Sequence, residues 1–232
     1  MPFVNNMSGK FGFGHPTADR YGSIRFNSSD TQYLDVTITA IGNSTATVEF
    51  WFNADAINLT QRLVSTSTTS FIAGDFAFRL VGSNLVVGDG VSPMTSSVAP
   101  SAGVWNHVAW VGTSGTSQEL FLNGSRVGTD GVYNATPPTG LNDAIWTFGG
   151  RNIALESFNG YISGFRYVLG TAVYSGPTYT VPNSPPYPIP GTELLLKTMY
   201  GNSFKQDTSP NVYNLVSRGI PDKPSTSLLN PF

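Results

Sequence analysis

Apolar residues occupy every second position in several segments in the middle of the chain. The clearest examples lie at 34–38, 48–52 and 76–80, where Leu, Val, Ile or Phe alternates with residues of different character. A period of two is typical of β-strands that have two different faces. No segment shows the capped 3.6-residue repeat that predicts a helix. The pattern therefore predicts an all-β fold of antiparallel sheets, in a sandwich or a barrel.

Turn residues separate these segments at short intervals. Asn123-Gly124 stands between the runs ELFL and SRVG, and the triplet at 82–84 (GSN) stands between FAFRLV and LVV. Asn-Gly is the strongest short hairpin signal, because a type I′ turn requires positive φ at both central residues. A proline cluster at 182–192 predicts a stiff, extended connector, since proline cannot donate to a strand ladder.

The same pattern divides the chain into a sandwich and two terminal segments. Residues 1–22 are rich in Gly and Asn without periodicity, so we expect an N-terminal arm. Residues 23–200 carry the strand pattern, and residues 201–232 form a C-terminal extension or a strand-completing tail. The apolar run at 194–196 needs a partner strand, because an exposed apolar edge promotes aggregation. The tail either completes its own sandwich or pairs with a neighbouring subunit.

Composition narrows the class of protein. The 232 residues include no cysteine, 11% charged residues and 12% aromatic residues, which favours a packed core without disulfides over disorder. The formal net charge is −2 and the four lysines stand far apart, which argues against a nucleic-acid partner. No run of 18 apolar residues is present, so we expect no membrane insertion. Residues 1–7 lack the charged and apolar regions of a signal peptide, so we expect none.

Four segments are distinctive together in their order and spacing. They are ATVEFWFNAD (46–55), GVWNHVAWVG (103–112), LFLNGSRVGT (120–129) and FGGRN…FNGYISGFRYVLGTAVY (148–174). Together they resemble the laminin-G-like, concanavalin A-like jelly-roll domains over about residues 22–200. The resemblance implies two stacked antiparallel sheets, one concave and one convex. We therefore expect an antiparallel two-sheet jelly-roll sandwich with extended N- and C-terminal arms.

A narrower resemblance concerns the last part of the chain. After the Pro-rich stretch come GTELLLKT (191–198), DTSPNVYNLVSRG (207–219) and SLLNPF (227–232), which resemble modules of bacteriophage structural proteins. The resemblance implies a non-enzymatic virion structural protein: a capsid decoration, tail fibre or spike subunit, assembled in the host cytoplasm and located in the virion. Its partners would be other virion proteins and copies of itself, in a homo-oligomer such as a trimer. The alternative is a glycan-binding adhesin or lectin module that recognises a cell-surface glycan.

The sequence predicts no catalytic site. Glycoside hydrolases of the concanavalin A-like group resemble one another in an E-x-D-x-x-E strand, whose alternate carboxylates share one face. No two of the 14 acidic residues here are two positions apart, so a glycan-cleaving enzyme is the least favoured function. His15 lies in the arm. His107 lies in a predicted strand, where we interpret it as bonded to backbone or water.

Calcium is the metal that the resemblance implies, because laminin-G-like domains often carry it at the sandwich rim on loop oxygens. Asp75, Asp89 and Asp143 lie in or next to predicted loops and are the candidate ligands. The competing interpretation is that each aspartate stabilises a turn through its side chain. The predicted function requires no other cofactor.

Aromatic side chains are the candidate sugar contacts. Trp51 stands between the two phenylalanines of its strand, so its side chain faces the other side of the sheet. That side is either a ligand surface or a second packed face. Tyr133 lies in a predicted loop and is the second candidate contact. Trp105 and Trp110 match the core pattern of the family, and we expect both to pack inward.

Overall fold

The structure is a computed structural model that describes residues 22–30, 32–38, 45–66, 76–88, 93–113, 117–131, 145–150, 156–197, 207–218 and 231–232. The predicted N-terminal arm lies outside these residues except for Gly22. The predicted boundary at residue 200 also lies outside them. Within the described residues, no helix is long and apolar enough to span a lipid bilayer.

The described residues form fourteen strands and one short 3₁₀-helix at Ser28–Asp30. The strands are β1 (Ile24–Phe26), β2 (Tyr33–Thr37), β3 (Thr45–Ala54), β4 (Gln61–Ser65), β5 (Ala77–Val81), β6 (Asn84–Gly88), β7 (Met94–Thr95), β8 (Asn106–Thr113), β9 (Ser117–Leu122), β10 (Ser125–Gly131), β11 (Ile145–Phe148), β12 (Gly160–Leu169), β13 (Thr192–Leu196) and β14 (Leu215–Arg218).

Two seven-stranded antiparallel sheets result. The first has the order β1-β12-β3-β8-β9-β10, and β13 pairs with the part of β12 that β1 leaves open. The second has the order β14-β2-β11-β4-β5-β6-β7. The prediction of an all-β antiparallel sandwich is confirmed.

The core lies between the two sheets. Phe50 and Phe52 of β3 are fully buried there, as the alternation predicts. Aromatic rings meet edge to face across the gap, with centroids 4.9 Å apart for Phe50 and Phe78 and 4.8 Å apart for Phe148 and Phe165. Edge-to-face pairs are favourable, and full burial of one such side chain contributes about 1.5–3 kcal/mol.

Both predicted hairpins are confirmed. Asn123 and Gly124 connect β9 to β10 with φ values of 50° and 84°, and Gly82 and Ser83 connect β5 to β6 with 56° and 75°. Positive φ at both central residues is the type I′ geometry, whose twist matches that of the flanking strands.

The segment 207–218 packs against its own chain. The buried carboxylate of Asp207 accepts hydrogen bonds from the backbone N–H groups of Leu195 (3.0 Å), Ser209 (2.8 Å) and Tyr213 (2.7 Å). β14 then pairs with β2 at the edge of the second sheet. β13, which carries the apolar run, pairs with β12.

The two hairpin glycines offer a matched test of the fold. Replacement of either by alanine places a Cβ on a positive-φ residue, which costs about 1 kcal/mol. At Gly82 that Cβ meets nothing within 4 Å, whereas at Gly124 it meets the carbonyl oxygen of Tyr179 at 2.7 Å. We expect Gly124→Ala to lower the free energy of unfolding by about 1–3 kcal/mol more than Gly82→Ala. If urea unfolding shows that the two variants lose the same free energy of unfolding, residues 177–181 do not pack on this turn.

Candidate functional site

The outer face of the first sheet carries polar and aromatic side chains that are shielded from solvent on β3. On β3 the residues that alternate with the core phenylalanines are Thr47, Glu49, Trp51 and Asn53, all of them buried. A strand buried on both faces must be covered by other parts of the chain. The cover differs between the two halves of this face.

Residues 171–190, here called the cover segment, lie over one half. The rings of Tyr174 and Tyr179 stack with centroids 4.0 Å apart, and both pack on Phe121 of β9. The backbone N–H of Tyr179 donates to the carbonyl of Gly124 at 2.8 Å, and that of Arg126 donates to the carbonyl of Pro177 at 2.9 Å. The cover segment thus docks along the β9–β10 hairpin.

A buried polar network lies beneath the cover segment. Glu49 is 1% exposed, and its Oε1 accepts a hydrogen bond from Arg166 Nε at 2.6 Å. Its Oε2 accepts from the hydroxyl of Tyr174 and lies 3.3 Å from His107 Nε2. His107 Nδ1 bonds in turn to the hydroxyl of Tyr179. Arg166 also donates to the carbonyl of Tyr187 at 3.0 Å, so the network ties the cover segment to the sheet at three points.

The electrostatics of this network favour an ionised Glu49. Burial alone would raise the pKa of the carboxyl group, but the hydrogen bond from His107 and the positive charge of Arg166 outweigh it. The pKa of Glu49 therefore lies below its usual range. Burial and the negative charge of Glu49 raise the pKa values of Tyr174 and Tyr179, so both phenols stay neutral. The network binds its own members and leaves no carboxylate oxygen free for a substrate.

The other half of the outer face is partly open among the described residues, since Arg25, Trp105 and Tyr161 are only half-buried there. Arg25, Tyr161 and Asn53 lie side by side on β1, β12 and β3. Trp105 precedes β8, and its ring centroid lies 6.4 Å from that of Tyr161. These four residues are here called the outer-face row.

Charged and amide groups hold the outer-face row in place. The guanidinium of Arg25 lies 4.8 Å from the ring centroid of Tyr161 and forms two hydrogen bonds with Asp55, at 2.8 and 2.7 Å. That hydrogen-bonded pair raises the pKa of Arg25. Asn159 Nδ2 donates to the same carboxylate at 2.9 Å. The side chains of Arg25 and Asp55 are 29% and 41% exposed, so solvent and ligands reach them.

A pocket of about 280 Å³ adjoins the outer-face row at Asn159. Its walls come from the 3₁₀-helix at Ser28, from residues 56–61 between β3 and β4, and from Ser157. Half-buried aromatic rings beside fixed polar groups and a concave rim are the usual components of a small-ligand site.

Comparison with known proteins places the fold in a family. Residues 27–169, more than half of the chain, match the model of the family described as the concanavalin A-like lectin/glucanases superfamily. The chain belongs to this superfamily. No curated protein sequence matches it.

Two solved structures share this fold. A Bacteroides ovatus protein for which carbohydrate binding is proposed superposes with a TM-score of 0.63 at 15% identity, over 92% of this chain and 62% of that one. Domains LG4–5 of the mouse laminin alpha1 chain superpose with a TM-score of 0.51 at 15% identity, over 75% of this chain and 50% of that one. This chain therefore spans about three fifths of the length of the Bacteroides protein. At these identities the likeness shows the fold alone.

The predicted site residues fall into two groups. Trp51 faces the outer side of its sheet, where it is 9% exposed and packs against His107. Tyr133 and the candidate calcium ligands Asp75, Asp89 and Asp143 lie outside the described residues, so their roles stay predictions. Within the described part of the chain, no group of three or more His, Asp or Glu side chains could hold a metal ion.

Three expectations about individual side chains had different outcomes. Trp110 packs in the core as predicted. The inward prediction for Trp105 was wrong, because the core face of β8 carries the even-numbered residues and Trp105 falls on the outer side beside Tyr161. The imidazole ring of His107 contacts the side chains of Glu49 and Tyr179. The sequence predicted a bond to backbone or water instead.

The buried network predicts the response of stability to mutation and pH. Glu49→Gln removes the counter-charge of Arg166, and breaking a buried pair costs about 3–5 kcal/mol. Glu119→Gln is the matched control, since the Arg126–Glu119 pair is partly exposed and worth about 0–1 kcal/mol. Urea unfolding of both variants at neutral pH measures the difference.

The pH dependence follows from the lowered pKa of Glu49. A carboxyl group whose folded pKa is depressed stabilises the fold above its unfolded value of about 4.3. This contribution is lost as pH falls through the folded value. We expect the wild type to lose stability more steeply than Glu49→Gln as the pH falls below about 4.3. Parallel curves would exclude a stabilising ionised Glu49.

Proposed function

We propose that this chain is a non-catalytic glycan-binding module and that the outer-face row is its sugar contact. The observation that carries the proposal is the half-buried pair of Tyr161 and Trp105 beside the hydrogen-bonded polar groups of Arg25, Asp55 and Asn159. The fold is that of a lectin-like superfamily, and carbohydrate binding is proposed for the Bacteroides protein that shares it.

The chemistry of the outer-face row suits a sugar. The half-buried rings of Tyr161 and Trp105 can offer an apolar face to the C–H side of a pyranose. Asp55 and Asn159 present oxygen and nitrogen atoms that accept from and donate to ring hydroxyls. Because Arg25 is held by two hydrogen bonds to Asp55, the site is preorganised and little side-chain entropy is lost on binding.

A catalytic role has less support than a binding role. General acid catalysis on a glycoside requires a carboxyl group within hydrogen-bond reach of the scissile oxygen. Glu49 is enclosed beneath the cover segment and bonded through both oxygens. Both oxygens of Asp55 accept hydrogen bonds from the guanidinium of Arg25, so this side chain is placed to accept hydrogen bonds from sugar hydroxyls.

A glycan array probed with the full chain tests the proposal. We expect a defined set of glycans to bind, and Tyr161→Ala to weaken that binding about tenfold, equivalent to about 1.4 kcal/mol. Tyr187→Ala is the matched control, because its side chain is 65% exposed and lies outside the outer-face row. Equal losses in the two variants, or an array on which no glycan binds, would refute the assignment. Thermal unfolding of each variant checks that the fold is kept.

The same glycan array tests whether glycan binding requires Ca²⁺. Binding that is lost in EDTA and restored by Ca²⁺ would support a calcium ion on loop oxygens, with Asp75, Asp89 and Asp143 as the ligands to substitute. Binding unaffected by EDTA would exclude a calcium requirement for glycan recognition.

Assembly into a bacteriophage virion is the second candidate function. Its support is the resemblance of 207–219 to modules of phage structural proteins. We expect this chain among the proteins that mass spectrometry identifies in purified particles, as a homo-oligomer such as a trimer in light scattering. Particles that lack it, or a monomer at high concentration, would count against virion assembly.

A further inference from the structure

Trp51 lies at the border between the covered and uncovered halves of the outer face. It pairs with Ser163 on β12 and with His107 on β8, and it is two residues before Asn53 of the outer-face row. Two residues along a strand span about 7 Å, so its ring is the immediate neighbour of the row.

Phe232 covers this tryptophan. The two ring centroids are 5.8 Å apart with an interplanar angle of 82°. A Cβ built on Gly164 would lie 3.3 Å from Phe232 Cζ, 3.5 Å from Trp51 Cδ1 and 3.2 Å from Pro186 Cδ. The ring of Phe232 therefore occupies a seat formed by Trp51, Gly164 and Pro186, and it fits because residue 164 has no side chain.

The seat leaves a polar atom of Trp51 unsatisfied. Its indole Nε1 is buried and has no hydrogen-bond partner among the described residues. In an indole ring Nε1 is bonded to Cδ1, the atom of Trp51 that lines the seat beside Gly164. A phenylalanine ring offers no conventional acceptor, and a buried N–H without an acceptor is unfavourable. A ligand with both an apolar face and an acceptor oxygen satisfies Trp51 better than Phe232 does.

We propose that the seat is a second sugar subsite, which Phe232 occupies when no glycan is bound. This inference rests on the proposed glycan-binding function and extends it to oligosaccharides of two or more residues. One residue of the ligand binds the outer-face row. The next residue displaces Phe232, packs on the ring of Trp51 and accepts a hydrogen bond from Nε1.

Fluorescence quenching tests the cover without any glycan. Acrylamide is the probe, and the full chain is compared with Phe232→Ala and with Phe232→Leu, which keeps an apolar side chain if the alanine variant does not fold. We expect Phe232→Ala to increase the quenching of tryptophan emission, and we expect no increase from Phe232→Ala in a Trp51→Phe background. Unchanged quenching in the first comparison would overturn the proposal.

Binding measurements test the subsite itself. The ligands are the oligosaccharide that binds best on the array and its terminal monosaccharide. We expect Phe232→Ala to bind the oligosaccharide about three- to tenfold more tightly and the monosaccharide with unchanged affinity, because a competing intramolecular contact has been removed. Val98→Ala, at a residue 55% exposed, is the matched control and should change neither affinity.

The outcomes separate this inference from the function on which it rests. A wild type that binds glycans while Phe232→Ala shows no gain, or shows a loss, would overturn the second subsite and leave the glycan-binding function standing. A wild type and a Phe232→Ala variant that both bind no glycan would overturn the two together.

Discussion

The ion pair between Glu49 and Arg166 is the interaction on which the arrangement of the outer face depends. Two charges inside a protein are tolerated only when they are paired and their remaining hydrogen-bonding groups are satisfied. Here the partners come from the sheet and from the cover segment: His107 lies on β8, whereas the hydroxyl of Tyr174 and the carbonyl of Tyr187 belong to the cover segment. The requirement to satisfy one buried carboxylate therefore holds residues 171–190 on the sheet.

This constraint divides the first sheet into two regions with different roles. Where the cover segment lies, stacked tyrosines and aliphatic residues form a second, smaller core on Phe121. Beyond it, Arg25 and Tyr161 remain accessible on a rigid strand pair. A ligand surface on strands is fixed by the sheet ladder, so its geometry does not depend on loops. The covered region thus stabilises the same sheet that carries the proposed ligand surface.

Much of the fold was predictable because its signals are local. Alternation at 48–52 and the Asn123-Gly124 turn each specify their conformation within a few residues, and the structure confirms both. The outer-face row was not predictable in the same way, since Arg25 and Tyr161 are distant in sequence and become neighbours only through strand register. Trp105 lies outside the core although it matches a core pattern, because its odd-numbered position relative to Trp110 places it on the opposite side of the sheet.

The irregularity in β12 has a consequence for how this scaffold can change. Between the pairs Ser163–Trp51 and Arg166–Glu49, β12 advances three residues while β3 advances two, so one extra residue sits at the bulge beside Gly164. Odd-numbered side chains point outward before this bulge and even-numbered ones after it. Without the inserted residue, the guanidinium would point into the core and the glutamate would lose its counter-ion. The bulge thereby separates the part of β12 that carries Tyr161 from the part that carries Arg166, so side chains upstream of it can be changed without disturbing the charges downstream.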